Sequence, residues 1–249
     1  MLKMNQPCLI RGHKTKIGRI LGKQIREKLI PIVSDGFNMQ IEIVTFDLYG
    51  TLVDWKYSIS RALNYIHENL DDRFFEIEYD TVTNLGKYIP YSRILVKVLE
   101  RALRECKIDF REEYGRLLLT SFAKSPFFPD ALIGLILLKK HGYKTGIISN
   151  TDRDLVEITL AGVRDFFDYV VTAQDAGYYK PDKRAFITAY EIMKTNYEQV
   201  LHVSSYPQYD LEPADQLGVK TVCIDRYGYS WKEKIQSIDR LLEVIRRQW

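Results

Sequence analysis

The chain is expected to be an α/β protein: a Rossmann-like parallel sheet covered by helices on both faces, with a helical cap inserted after the first strand. Three observations predict this. Short β-rich runs alternate with helical stretches from "YKTGIISN" (143–150) to "VKTVCIDR" (219–226), the pattern of a parallel sheet with crossover helices. The first such run, "IEIVTFD" (41–47), is followed by residues 56–125, where only helical stretches are legible. The length, 249 residues, suits one large domain or a core with an inserted module.

The elements follow in order. Residues 1–38 are expected to be a basic arm appended to the fold. "KIGRILGKQIREKLIPIV" (16–33) places Ile17, Ile20, Leu21, Ile25 and Leu29 near helical spacing, which would suit a membrane surface or a partner. It lacks the apolar core of a secretory signal and is too serine-poor for a transit peptide. The core is expected at 39–55 and 126–249, with the cap at 56–125. The cap's helical stretches are "YSISRALNYIHENL" (57–70), "YSRILVKVLERALREC" (91–106) and "FREEYGRLLLTSFAKS" (110–125). "FFPDALIGLILLKKHG" (127–142) then has a Pro–Asp start and a Gly stop, which fit helix-end chemistry. "DRDLVEITLAG", "PDKRAFITAYEIM" and "DLEPADQLG" read as helices between the strands "TGIIS", "FDYVVTA", "VLHVSS" and "VKTVCIDR", and a last amphipathic helix is expected at roughly 231–247.

Composition narrows the function. The formal charge is +3, but residues 1–34 hold eight Lys/Arg against one acid, so the remainder has 28 basic and 32 acidic residues. A mildly acidic body gives no basis for nucleic-acid binding. No apolar run approaches the roughly 20 residues of a membrane span. Cys8, Cys106 and Cys223 are scattered and odd in number, which suggests neither a disulfide framework nor a zinc site and points to a reducing cytoplasm. Oligomeric state is not readable; a homodimer is one option.

In an open α/β sheet, ligands bind outside the carboxyl ends of the strands. That filter selects Asp47 after the first strand, Ser149 and Asn150 after the second, Lys180 in the loop after the third, and Ser204 and Ser205 after the fourth, with Asp210 just beyond. Each alone is an ordinary strand-end or capping residue; together on one rim they make a site. A carboxylate there can be nucleophile, metal ligand or base. An ammonium beside it favours the ionised form and attracts a small anionic substrate, and Ser149 and Asn150 offer hydrogen bonds to fix that substrate. Pro181 is expected to open a helix and steady the Lys180 loop. His202, within "VLHV", reads as a core histidine, and Trp55 and Tyr91 as lid packing.

"DLYGTLVD" (47–54), "IISN" (147–150), "YYKP" (178–181) and "HVSSYPQYDLEPA" (202–214) together resemble the four motifs of the haloacid dehalogenase superfamily, over residues 41–226. Tyr49, two places after the aspartate, resembles the 2-haloacid dehalogenase branch. The resemblance implies that Asp47 displaces halide from carbon 2 of a 2-haloacid to give an aspartyl ester, which water then hydrolyses. It implies Lys180 as the nucleophile's partner, Asp210 as the group orienting the water, Thr51 as the residue steadying the first loop, and Ser149, Asn150 and Ser205 beside the substrate. Most members of the superfamily are phosphatases with an acid where Tyr49 stands. That acid protonates a departing alkoxide, a step worth about 10²–10⁴-fold, and a halide leaves without a proton.

The branch also carries a cap arginine, which Arg93 of Pro90-Tyr91-Ser92-Arg93 would match, one residue late. One residue is about 100° around a helix. No cofactor is favoured. Magnesium belongs to the phosphatase alternative, where Asp47 and Asp210 would be its carboxylate ligands. A non-catalytic binding or regulatory role is the third reading.

Overall fold

The computed structural model describes residues 41–85 and 88–248; the expected basic arm lies outside them. Strands β1 (Ile43–Phe46), β2 (Lys144–Ser149), β3 (Tyr169–Thr172), β4 (Val200–Ser204), β5 (Lys220–Ile224) and β6 (Lys234–Ile235) form one sheet. Its order is β3-β2-β1-β4-β5-β6, with every pairing parallel. All of β1 is buried, as expected of a parallel strand covered on both faces. The direction of strand succession reverses between β1 and β4, so the crevice at their carboxyl ends is the switch point where α/β sheets bind ligands. Register levels that rim: Phe46 faces both Ile147 and Val203, so Asp47, Ser149 and Ser204 come to the same edge.

Four helices follow β1: α1 (Trp55–Ile66), α2 (Leu70–Thr83), α3 (Tyr91–Glu105) and α4 (Glu112–Ala123). The insertion closes at a neck where Val53 bridges Phe127 and the Asp54 amide donates to the Pro126 carbonyl at 2.8 Å. The reading of the sequence contained no helix for α2. Its "FFEIEYDTVT" is rich in aromatic and β-branched residues, which are poor helix formers. It starts at Asn69 in the left-handed conformation, with no side-chain cap. Burial of Leu70, Phe74, Ile77 and Val82 overrides that propensity.

Helices α5 (Pro129–Lys140), α6 (Arg153–Thr159), α7 (Ala173–Ala176), α8 (Lys183–Met193), α9 (Glu212–Asp215) and α10 (Leu241–Gln248) complete the core. α5 starts at its proline as expected, and Gly142 follows it with φ of 85°, the usual glycine stop. Two expectations are corrected. The final helix begins only at Leu241, because Lys234 and Ile235 pair with Cys223 and Ile224 as an edge strand that buries Ile235. Pro181 does not open a helix: α8 begins at Lys183, where the Asp182 side chain accepts from the Arg184 amide. Among the described residues no helix is long and apolar enough to cross a membrane.

One core carboxylate caps a helix of the cap. α3 has Pro90 at its N-cap and no side-chain cap of its own. Asp152, in the loop after β2, supplies it: Oδ1 accepts from the Tyr91 amide at 2.6 Å and the Tyr88 hydroxyl at 2.8 Å. Oδ2 accepts from the Ser92 amide at 2.8 Å and the Ser92 hydroxyl at 2.6 Å. A negative charge at a helix N-terminus is favourable, and this one comes from the other layer of the molecule. Replacing it should loosen the cap. Asp152→Ala is expected to lower the unfolding free energy by about 2–3 kcal/mol, with Asp152→Asn losing less, measured by urea titration.

Candidate active site

The floor of the site is three buried charged groups. Asp47 is 5% exposed, Lys180 2% and Asp210 1%. The Lys180 ammonium donates to Asp47 Oδ1 at 2.9 Å, to Asp210 Oδ1 at 2.5 Å and to the Ile148 carbonyl at 2.9 Å. Those bonds use all three of its protons. Burial pushes the Asp47 carboxyl up to about 6, against the pull of Lys180 and with a further push from Asp210. Burial also pushes Asp210 upward, but Lys180 and the His202 ring outweigh it and hold that carboxyl below its ordinary value. Lys180, which burial alone would lower, is raised by Asp210 and Asp47.

Each member is held by the chain around it. The Thr51 hydroxyl donates to Asp47 Oδ2 at 2.8 Å. The Asn150 side chain brackets Lys180, accepting from its amide at 2.7 Å and donating to its carbonyl at 2.8 Å. His202 Nε2 lies 3.1 Å from Asp210 Oδ1, and its Nδ1 lies 2.9 Å from the Thr45 hydroxyl. Burial pushes the imidazole down, so a neutral ring donates to Asp210. His202 is thus a core histidine, as its strand position suggested, but it also positions Asp210. The carboxylate itself arrives through a π-helical turn at Pro207–Leu211; such turns recur at functional sites.

Several expected residues take other roles. Tyr49 stacks on Phe122 with centroids 4.1 Å apart, and its hydroxyl lies 2.6 Å from that of Thr159. Thr159 in turn donates to carbonyls of Ala123 and Leu155. The Tyr49 ring is therefore a strut between cap and core, and only its body lines the cavity. Ser205 does not face the cavity. Its hydroxyl donates to the Gly50 carbonyl at 2.5 Å and its amide to Thr51 at 3.0 Å, which clamps the first loop. Thr51 is fully buried and steadies Asp47 from behind. Arg93 is exposed on α3 and does not line the cavity: the one-residue offset turns it away from the cap's inner face.

A cavity of about 340 Å³ stands above this floor. Asp47, Asp210, Lys180, Ser149 and Asn150 form its base, and aromatic side chains form most of its wall. The Ser149 hydroxyl is buried there without a hydrogen-bond partner among the described residues. Tyr206 crosses Gly50, whose φ is 91°; a Cβ on Gly50 would sit 2.1 Å from the tyrosine hydroxyl. That hydroxyl accepts from Trp55 Nε1 at 3.2 Å, so glycine here lets the ring lie across the loop that carries Asp47.

On the cap helices the sequence reading missed two charged wall residues, Lys56 and Glu78. Burial pushes the Glu78 carboxyl up to about 7, although the Tyr91 hydroxyl donates to it at 2.9 Å. Neither lies at a strand end, so the rim filter had no means of finding them.

A family model described as haloacid dehalogenase-like hydrolase matches residues 41–218. Haloacetate dehalogenase H-2 of Moraxella sp. (strain B) is 27% identical over 215 residues, covering 83% of this chain and 95% of that protein. (S)-2-haloacid dehalogenase 4A of Burkholderia cepacia is 29% identical over 191 residues, covering 74% and 82%. A crystal structure of a dehalogenase superposes with a TM-score of 0.74 at 26% identity, covering 82% of this chain and 96% of that one.

Removing the shared ammonium would leave two carboxylates buried together. Lys180→Met is expected to cost about 3–5 kcal/mol of stability, read by chemical denaturation. The loss should shrink at low pH, where protonation relieves the unpaired charge.

Proposed function

The chain belongs to the haloacid dehalogenase-like hydrolases, and from that premise we propose that it is a 2-haloacid dehalogenase working through an aspartyl ester, without a metal. One observation carries this: Asp47 sits at the base of the cavity, aligned by Lys180 and Thr51, and the residue two places along its loop is Tyr49, whose hydroxyl is tied to Thr159, where an acid would serve a leaving alkoxide.

In the first step a lone pair of the Asp47 carboxylate forms a bond to carbon 2 of the substrate. The carbon–halogen bond breaks and its electron pair leaves on the halide, inverting the carbon. No proton moves, so the strut role of Tyr49 costs this step nothing. Asp47 loses its charge on forming the ester, and Lys180 then faces Asp210 alone. That keeps Asp210 ionised while it faces the cavity. In the second step a water oxygen adds to the Asp47 carboxyl carbon and passes a proton to Asp210. The bond from that carbon to the substrate oxygen breaks, and Asp210 returns the proton to the departing alkoxide. The products are a 2-hydroxyacid, halide and one proton released as the Asp47 carboxylate is restored.

The residues fit a magnesium ion poorly. Asp47 and Asp210 share the Lys180 ammonium, and the last motif has Ser204-Ser205-Tyr206 where a further acid would stand. Among the described residues no cluster of three His, Cys, Asp or Glu suited to a metal occurs. The phosphatase alternative is weakened on both counts. The intact trio of Asp47, Lys180 and Asp210 argues against a non-catalytic role. A small halogenated acid is the proposed partner, and the unpaired Cys106 and Cys223 support a reducing cytoplasm.

Halide release from 2-chloropropionate enantiomers, measured with a chelator present, is the test. Release is expected to be chelator-insensitive and to vanish in Asp47→Asn. A single turnover in ¹⁸O-water should place the label in Asp47, seen as a 2 Da shift of its peptide. Magnesium-dependent phosphate-ester hydrolysis with no halide release would overturn the proposal. The pH profile follows from the nucleophile. With its carboxyl pushed up to about 6, Asp47 takes a proton below that pH and stops attacking. Accordingly kcat/KM should fall about tenfold per pH unit below roughly pH 6.

A further inference from the structure

We infer that the substrate is a 2-haloacid with an aromatic ring on its side chain, and that Lys56 holds its carboxylate; this rests on the dehalogenase reading above. A 2-haloacid brings a carboxylate into the cavity, and a buried charge needs a partner. Among the described residues the cavity wall carries two cations, Lys56 and Lys180. Every proton of Lys180 is taken by Asp47, Asp210 and the Ile148 carbonyl. Arg93 is exposed elsewhere.

Lys56 remains. Its ammonium lies 4.5 Å from the centroid of the Tyr227 ring and 5.6 Å from that of Phe75. Among the described residues it makes ring contacts but no hydrogen bond or ion pair, so its protons are unspent there. Glu78 faces it within the same wall and is occupied by the Tyr91 hydroxyl.

Volume and wall both favour a ring. A cavity of about 340 Å³ falls within the roughly 300–1,000 Å³ of pockets that enclose drug-sized ligands. A three-carbon acid would leave most of it as water beside the ester. The wall is aromatic: Trp55 meets Phe75 and Phe122 edge-on at 5.3 and 5.9 Å, and Tyr206 meets Tyr209 edge-on at 6.1 Å. Rings in such a frame receive another ring by offset or edge-on contact. An aryl side chain would fill the space that must be dry when the ester forms, with carbon 2 at the polar base and the carboxylate turned to Lys56 in the wall.

The test compares halide release from 2-chloropropionate, 2-chloro-3-phenylpropionate and the amide of the latter, using the full chain, Lys56→Met and Lys56→Arg. The phenyl acid is expected to exceed chloropropionate by about tenfold to a hundredfold in kcat/KM, the worth of burying one ring. Lys56→Met should raise KM for the phenyl acid about tenfold or more and erase the preference for acid over amide. Lys56→Arg should restore that preference. Equal or better turnover of chloropropionate overturns the aryl assignment while leaving the dehalogenase reading standing. An acid-over-amide preference that survives Lys56→Met overturns the anchor. No halide from any of the three compounds would sink the dehalogenase reading itself.

Discussion

One ammonium held between two buried carboxylates is the constraint on which the site depends. Asp47 and Asp210 are each almost fully buried, and charges taken out of water cost several kcal/mol apiece unless they are paired and hydrogen-bonded. Lys180 supplies the pairing for both, and Thr51 and His202 supply the remaining bonds. The trio retains one net negative charge. Burial lifts the Asp47 pKa to near 6, against the pull of Lys180 and with a further push from Asp210. A fully neutralised carboxylate would be a weaker nucleophile; an unpaired one would take up a proton.

The surrounding fold makes this arrangement affordable in geometric terms. Level register across β2, β1 and β4 brings three strand ends to one edge. Asn150 then grips the backbone of Lys180 from both sides, so the ammonium is delivered from a loop whose position is set by the neighbouring strand. Ser205 and Thr51 lock the first loop from beneath. None of these groups need reach the substrate. Their work is to remove freedom from the reacting carboxylate before a ligand arrives, the preorganisation that positioned chemistry requires.

The sheet, its helical cap and the charged trio were legible in the sequence for a shared reason. Strand ends are set by backbone pattern, and a parallel sheet forces successive strand ends onto one rim. What escaped depends on contacts with no sequence period. Helix α2 opposes local propensity and is stabilised by burial of Phe74 and Ile77. The edge strand at Lys234 is too short to carry a pattern. Ser205 looked free at a strand end, yet its amide and hydroxyl are both taken by the loop holding Asp47. Lys56 and Glu78 lie on cap helices, where nothing local says which face looks inward.

Tyr49 shows how cap and core share one strut. Its position in the nucleophile loop is where a phosphatase would keep an acid, and here the hydroxyl is tied to Thr159 of α6 while the ring lies on Phe122 of α4. α4 belongs to the cap and α6 to the core, so the loop carrying Asp47 touches both through one side chain. Asp152 makes the reverse connection, a core carboxylate capping cap helix α3. With those two ties in place the cap stands in fixed relation to the nucleophile. On the dehalogenase reading proposed above, the wall of the cavity then matters to the chemistry: a ligand too small to reach the cap leaves water beside the ester, and one that fills the space excludes it.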